Sequence, residues 1–227
     1  MKKSPISRTK SLAAIVAENL KEAILRREIA LGEQLSEEKI AVAMEVSRTP
    51  VREALTILQM QGLINILPRR GSIVFKPDAE ELRRLVDYRL NLELLVSRLA
   101  LERAPKETYA GLKKALVLME KARDVDDTLR YAQADTVFHN VFFENADNPF
   151  FLEAYDIASG RISALRVHLS TQLQLHRYTT YAEHVEIAEA VAEGDAAKLE
   201  RLLREHIGAM EPNYSNALKM LDADADA

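Results

Sequence analysis

The chain has no cysteine and no tryptophan, and only seven glycines and seven prolines are spread through its 227 residues. Without cysteine there can be no disulfide and no thiolate metal site, so any ion must be held by nitrogen and oxygen donors. Few helix breakers, and an abundance of Leu, Ala, Glu and Arg, favour helix over sheet through most of the length. No apolar run approaches the roughly 18 residues that a spanning helix requires, and the start MKKSPISRTK has basic residues with no hydrophobic segment behind them. The expectation is a soluble, unexported, cytoplasmic protein, mainly α, with enough apolar sequence to bury the cores of two domains or one large one.

The net charge of −4 hides an asymmetry. Residues 1–77 hold 13 Lys or Arg against 8 Asp or Glu, and residues 78–227 hold 18 against 27. A basic front and an acidic back are a reason to suspect that the front meets a polyanion.

From Thr9 to Arg27 the residues Leu12, Ile15, Val16, Leu20 and Ile24 recur at helical spacing, giving an amphipathic helix that Gly32 closes off. In LSEEKIAVAMEVSRTPVREALTILQMQGLI, Ser36 can cap a short helix over Glu37–Met44. A break at Glu45–Val46–Ser47 leads to a second helix from Arg48, with Pro50 in its first turn, where a missing N–H costs nothing. Ala54, Leu55, Leu58 and Leu63 form its buried face. After Gly62 the period changes to two: LINIL, PRRG and SIVF alternate around a turn, a β-hairpin with Arg69 and Arg70 at its tip. Helix, turn, helix and basic hairpin make a winged helix-turn-helix. Its second helix would enter a major groove of double-stranded DNA and present Arg48, Thr49 and Arg52 to phosphates and base edges. The alternative is that Arg48 and Arg52 pair with Glu45 and Glu53 as solvated surface charges.

The run LSEEKIAVAMEVSRTPVREALTILQMQGLINILPRRGSIV closely resembles the amino-terminal domain of the GntR family of bacterial transcription regulators. The resemblance implies operator contacts from Arg48, Thr49, Arg52 and Gly71. One departure is Glu38, where members commonly carry a further DNA-contacting arginine.

Pro77–Asp78–Ala79 forms a short junction. An antiparallel six-helix bundle is expected beyond it, over roughly 79–103, 106–121, 126–145, 149–175, 179–193 and 196–220, followed by a disordered acidic tail over 221–227. Within the bundle, ionisable residues stand where core residues belong. Asp135 and His139 share a stripe with Phe138 and Phe142; His184 shares one with Ile187, Ala188 and Val191; His206 falls among Leu199, Leu202, Leu203 and Met210. A lone histidine on an apolar face is more often a hydrogen-bonded core residue than a ligand. However, an aspartate and a histidine one turn apart can share an ion, and bundle cores host metal sites built from facing helices. Arg89 lies on the stripe Leu82, Leu85, Val86, Leu92, Val96 and so demands an anion, either Glu93 one turn on or a carboxylate ligand gripped by the guanidinium fork. Arg161 and Arg166 on the fourth helix could add to such a pocket but are expected at the surface, and His168 and His176 are left outside the metal set.

Residues 79–220 resemble, with sparser motifs, the helical FCD ligand-binding domain of the FadR branch of that family, and six rather than seven helices point to its VanR-like subgroup. The resemblance implies a divalent ion on Asp135, His139, His184 and His206, with zinc or nickel favoured over iron or manganese. It also implies a small carboxylate effector beside the ion, held by Arg89, and a homodimer on a palindromic operator. The expected protein is thus a cytoplasmic, nucleoid-associated, ligand-responsive repressor, domains 1–77 and 78–220 delivering and receiving the signal. A regulator for which the ion itself is the effector is the alternative. An enzyme is not expected, since the sequence has no His-Asp dipeptide and no evident general base.

Overall fold

A computed structural model describes residues 10–67, 71–170, 172–173 and 176–225. The chain divides into two compact units, Met1–Phe75 and Lys76–Ala227.

The first unit opens with α1 (Leu12–Leu25), started by Ser11, whose Oγ accepts the Ala14 amide at 3.1 Å. Its buried residues are Ala13, Val16, Ala17, Leu20 and Ile24, while Leu12 and Ile15 are exposed. Val16, Leu20 and Ile24 are buried as expected, and the stripe is shifted only in its first turns, where Ala13 and Ala17 are buried in place of Leu12 and Ile15. The helix-turn-helix is α2 (Glu37–Ala43) and α3 (Arg48–Met60). Ser36 caps α2 by accepting the Lys39 amide at 3.3 Å, and the turn is made sharp by Glu45, which takes a left-handed φ of 54°. Val51, Ala54, Leu55 and Leu58 bury one face of α3. The wing is a three-stranded antiparallel sheet of order β1-β3-β2, from β1 (Gln34–Leu35), β2 (Ile64–Leu67) and β3 (Gly71–Val74). Leu67 faces Gly71 across the hairpin, and Gly71 sits at φ +84°, a conformation side chains other than glycine rarely adopt.

The second unit is helical: α4 (Ala79–Arg103), α5 (Pro105–Asp124), α6 (Thr128–Asn145), α7 (Pro149–His168), α8 (His176–Glu193), α9 (Ala196–Gly208) and α10 (Met210–Ala225). Side chains that accept backbone amides start several of them: Asp78 for α4, Asp127 for α6, Asn148 for α7 and Asp195 for α9. The single helix expected over 196–220 is interrupted at Ala209. Pro212 cannot donate to the Gly208 carbonyl and its ring crowds that turn, which kinks the path. Counted as one kinked helix, α9 and α10 complete six; counted as two, they make seven. Residues 221–225, expected to be disordered, continue α10, since alanine at alternate positions favours helix and Asp222 ion-pairs with Lys76.

Helices α5 and α6 approach each other closely at Gly111. A Cβ there would lie 2.8 Å from Val141 Cγ1. Gly111→Ala is expected to destabilise the bundle by roughly 1–2 kcal/mol, overpacking outweighing the gain in helix propensity. Combining it with Val141→Ala should remove most of the clash contribution, as a urea-denaturation double-mutant cycle would show. This contact seats α6, which carries Asp135 and His139.

Candidate functional site

On the first unit, Arg48, Thr49 and Arg52 occupy the first turns of α3 and are all exposed, as is Glu38 on α2. The arginines pair with neither Glu45 nor Glu53. Arg52 Nε donates to Glu37 Oε2 at 2.7 Å and Arg48 Nη2 to the same oxygen at 3.3 Å. Hydrogen bonding from Arg52 holds the Glu37 carboxyl below its usual range. Glu37, the first residue of the helix that Ser36 caps, thus fixes the forks of both arginines on one face, a role the sequence reading missed. Arg69 and Arg70 lie outside the described residues.

On the second unit, three helices bring four side chains together. Asp135 and His139 come from α6, His184 from α8 and His206 from α9, each offering one donor atom within 4.8 Å of the others. His139 and His184 are fully buried and Asp135 nearly so. The three Nε2 atoms converge: His139 to His206 is 3.3 Å and His139 to His184 is 3.4 Å. Asp135 Oδ1 lies 3.0 Å from His184 Nε2 and 4.0 Å from His139 Nε2.

The partners of the other ring nitrogens decide the tautomers. His139 Nδ1 meets Glu93 Oε2 at 2.6 Å, His184 Nδ1 meets the Thr180 carbonyl at 2.5 Å, and His206 Nδ1 meets Glu183 Oε2 at 2.6 Å. A carbonyl and two carboxylates can only accept, so each Nδ1 carries the proton and each Nε2 turns a lone pair inward. Burial pushes the His139 imidazole down to about 3, against the pull of Glu93, so it stays neutral near pH 7. Burial raises Asp135, but the Arg166 charge and the neighbouring His184 and His139 together outweigh it and hold the carboxyl well below its usual range. Four acceptors therefore face one point, an arrangement that repels itself unless a cation sits among them. Ligands roughly 2.0–2.2 Å from a zinc ion lie about 3–3.5 Å from one another. The His139–His206, His139–His184 and Asp135–His184 spacings fall in that range, Asp135–His139 is wider at 4.0 Å, and Glu93, Thr180 and Glu183 stand where outer partners orient metal-bound imidazoles. The cluster could hold a divalent metal ion.

Against this cluster lies a cavity of about 120 Å³, whose wall includes Asp135, His206, Arg89, Arg166, Tyr131 and Tyr214. Arg89, 3% exposed, sends Nε to Glu93 Oε1 at 2.6 Å and Nη1 to Met210 Sδ at 3.3 Å, but its buried Nη2 has no hydrogen-bond partner among the described residues. Glu93 thus meets Arg89 as one sequence alternative required, and leaves part of the fork over. Burial opposes ionisation of Glu93, yet Arg89 and His139 keep the carboxyl far below its normal value.

Arg166 overturns an expectation. It is 6% exposed, not at the surface. It ion-pairs with Asp135 Oδ2 and donates from Nη1 to Thr136 Oγ1 at 2.7 Å, and its buried Nη2 also lacks a hydrogen-bond partner among the described residues. The second half of α7 is buried nearly all round, which is why its facing was hard to read. Yet Arg166 stands between Ile162 and Leu169 at helical spacing, the signal that exposed Arg89. Arg161 is half-buried and donates to the Ile157 carbonyl at 3.0 Å. His168 is buried near the end of α7 and outside the tetrad, and the His176 side chain lies outside the described set.

Residues 12–74 match the bacterial regulatory proteins of the gntR family, and residues 84–209, more than half the chain, match the FCD domain. The chain is a bacterial regulatory protein of the gntR family with an FCD domain. This regulator is 28% identical over 234 residues to the HTH-type transcriptional repressor NanR of Salmonella newport (strain SL254), a match spanning 94% of this chain and 89% of that repressor. It is similar in structure to a GntR protein from Rhodococcus sp. RHA1, with a TM-score of 0.81 at 25% identity, covering 92% of this chain and 99% of that one. It shares its fold with E. coli McbR/YncC, at a TM-score of 0.75 and 20% identity over 94% of this chain and 100% of that one. No described helix of the regulator is long and apolar enough to cross a membrane.

Proposed function

We propose that this regulator is a cytoplasmic, nucleoid-associated transcriptional repressor of the FadR branch, VanR-like when α9 and α10 are counted as one kinked helix. It acts as a homodimer on a palindromic operator and responds to a small organic acid bound beside a divalent metal ion. The observation that carries this reading is the cavity itself: its wall contains two members of the metal-type tetrad, Asp135 and His206, together with Arg89, whose Nη2 has no hydrogen-bond partner among the described residues.

In this mechanism residues 1–77 bind DNA. Arg48, Thr49 and Arg52 approach the major groove from the start of α3, Gly71 lets the wing backbone come close to the duplex, and Arg69 and Arg70 at the wing tip reach the adjoining backbone. Residues 78–220 hold the ion and the effector and form the dimer. Asp135, His139, His184 and His206 would hold zinc or nickel in preference to iron or manganese, and the bound ion supplies open positions for carboxylate oxygens. Arg89 receives the acid through the free arm of its guanidinium. An effector that favours one bundle arrangement over another by about 1–3 kcal/mol is enough to change operator occupancy severalfold or more. A regulator sensing the ion alone would need no cavity beside the tetrad and no spare donor on Arg89.

Arg89→Ala would strip Glu93 of its counter-charge, so Arg89→Lys is the cleaner test. It keeps a cation near Glu93 and removes the fork. Titration calorimetry of metal-loaded protein with short organic acids is expected to show binding to the parent and a loss of about tenfold or more in the variant, the worth of one charged hydrogen bond. Equal affinity in both proteins would end the effector role of Arg89.

A further inference from the structure

We infer that the effector is a dianion, a short dicarboxylate spanning Arg89 and Arg166. This rests on the reading of the cavity as the effector pocket and sharpens which acids that pocket takes.

Three observations lead there. The first is the pair of spare donors. Arg89 and Arg166 come from different helices, α4 and α7, yet both line the same cavity, and each has a buried Nη2 without a hydrogen-bond partner among the described residues. A buried guanidinium nitrogen without an acceptor is costly, and here there are two. The two sites have the same construction: an internal carboxylate takes Nε, Glu93 for Arg89 and Asp135 for Arg166, and leaves one arm for something else.

The second is charge. Arg89 with Glu93 and Arg166 with Asp135 sum to zero. Imidazoles bound to an ion through Nε2 add no charge of their own, and Glu183, also on the cavity wall, is 36% exposed and so offsets a neighbouring charge only in part. A divalent ion on the tetrad would therefore leave an excess of more than one and up to two positive charges. One carboxylate would neutralise only part of that excess, two would neutralise all of it, and uncompensated charge in a buried site is strongly unfavourable.

The third is size. The cavity, about 120 Å³, is several times the space one water needs and is on the scale of a small organic acid. That accommodates a diacid of four or five carbons and excludes a long acyl chain. Thr128, Tyr131, Asn213 and Tyr214 supply neutral polar groups to the remaining wall. Burial keeps the Tyr131 and Tyr214 phenols protonated; Tyr131 meets Thr180 Oγ1 at 3.1 Å and Tyr214 lies against the Arg166 guanidinium.

The test compares acids matched in length on metal-loaded, full-length protein, by calorimetry and by thermal shift. Succinate and glutarate are the diacid probes, and butyrate and valerate are the monoacids. The expected result is at least tenfold tighter binding of the diacids by the parent. Arg166→Lys, which keeps a cation beside Asp135 but removes the second arm, should bring the diacid and monoacid affinities to within threefold of each other. Equal affinity for diacids and monoacids in the parent would overturn the inference and leave the effector pocket standing. Binding of none of the four would remove the effector reading and this inference with it. If Arg166→Lys does not fold, the comparison on the parent protein decides alone.

Discussion

Removing the metal is expected to lower the melting temperature of this regulator by about 5–10 °C, and His139→Ala is expected to abolish the response to added metal. An ion present at about 100 times its dissociation constant contributes roughly 2.7 kcal/mol to the folded state. For a chain of this size each kcal/mol moves the midpoint by about 2–4 °C. His139 is the central ligand: its Nε2 is within 3.4 Å of both other imidazoles, and its Nδ1 proton is held by Glu93. The alanine variant keeps three of the four donors but loses the one through which the others are related. Calorimetric melts of untreated protein, chelated protein and chelated protein resupplied with zinc or nickel would measure the first effect, and the same series on His139→Ala the second. Glu93→Gln should bind metal about 10–100-fold more weakly, because it loses the oriented acceptor behind a ligand and not the ligand itself. Elemental analysis showing no ion in untreated protein, with no uptake on resupply, would remove the metal site.

Arg52→Ala is expected to cost about 1–3 kcal/mol in operator binding, a loss of roughly 5- to 150-fold, and to relax selectivity at the base pair it reads. The operator need not be known beforehand, since the parent protein can select it from a random duplex library. The Glu37 carboxylate offers a control. It holds both Arg52 and Arg48, so Glu37→Gln leaves the donors in place but loosens their aim. That change should be smaller than the loss of Arg52, because the pair is more than half exposed on the arginine side and exposed ion pairs are worth little. Affinity for every duplex should fall steeply with salt. If the Arg52→Ala protein binds the selected duplex as tightly and as selectively as the parent, α3 is not the recognition helix.

The parts legible in the sequence were those with a strong local pattern. The winged helix follows from Ser36, Pro50, the alternation after Gly62 and a forty-residue family resemblance, and the start of the bundle follows from the Pro77–Asp78–Ala79 junction. Asp135, His139, His184 and His206 could be read as inward-facing from the apolar neighbours on their stripes, and the structure does bring them together. What could not be read was pairing across helices. Nothing in the spacing of α6 tells that Glu93, on α4, stands behind His139, and nothing in that of α9 tells that Glu183, beside His184 on α8, stands behind His206. Arg166 was misplaced because α7 is buried on almost every side in its second half, so no polar face marks the exposed direction. The shift of the α1 stripe has a similar origin: alanine is apolar enough to be core and small enough to be overlooked beside Leu12 and Ile15. Sequence periodicity locates faces, and contacts between faces belong to the folded chain.

Two carboxylates described above are each divided between two tasks. Glu93 gives one oxygen to His139 and the other to Arg89; Asp135 turns one oxygen to the imidazoles and the other to Arg166. On the proposed reading, neither binding event can then be titrated in isolation. An ion that draws charge from Asp135 and from the Glu93–His139 pair loosens the hold of those carboxylates on the two guanidinium groups, freeing them for an acid. By thermodynamic reciprocity the acid must strengthen the hold on the ion by the same factor. An affinity measured for either one therefore has meaning only with the free concentration of the other stated beside it, and an effector screen on chelated protein would underrate the true ligand.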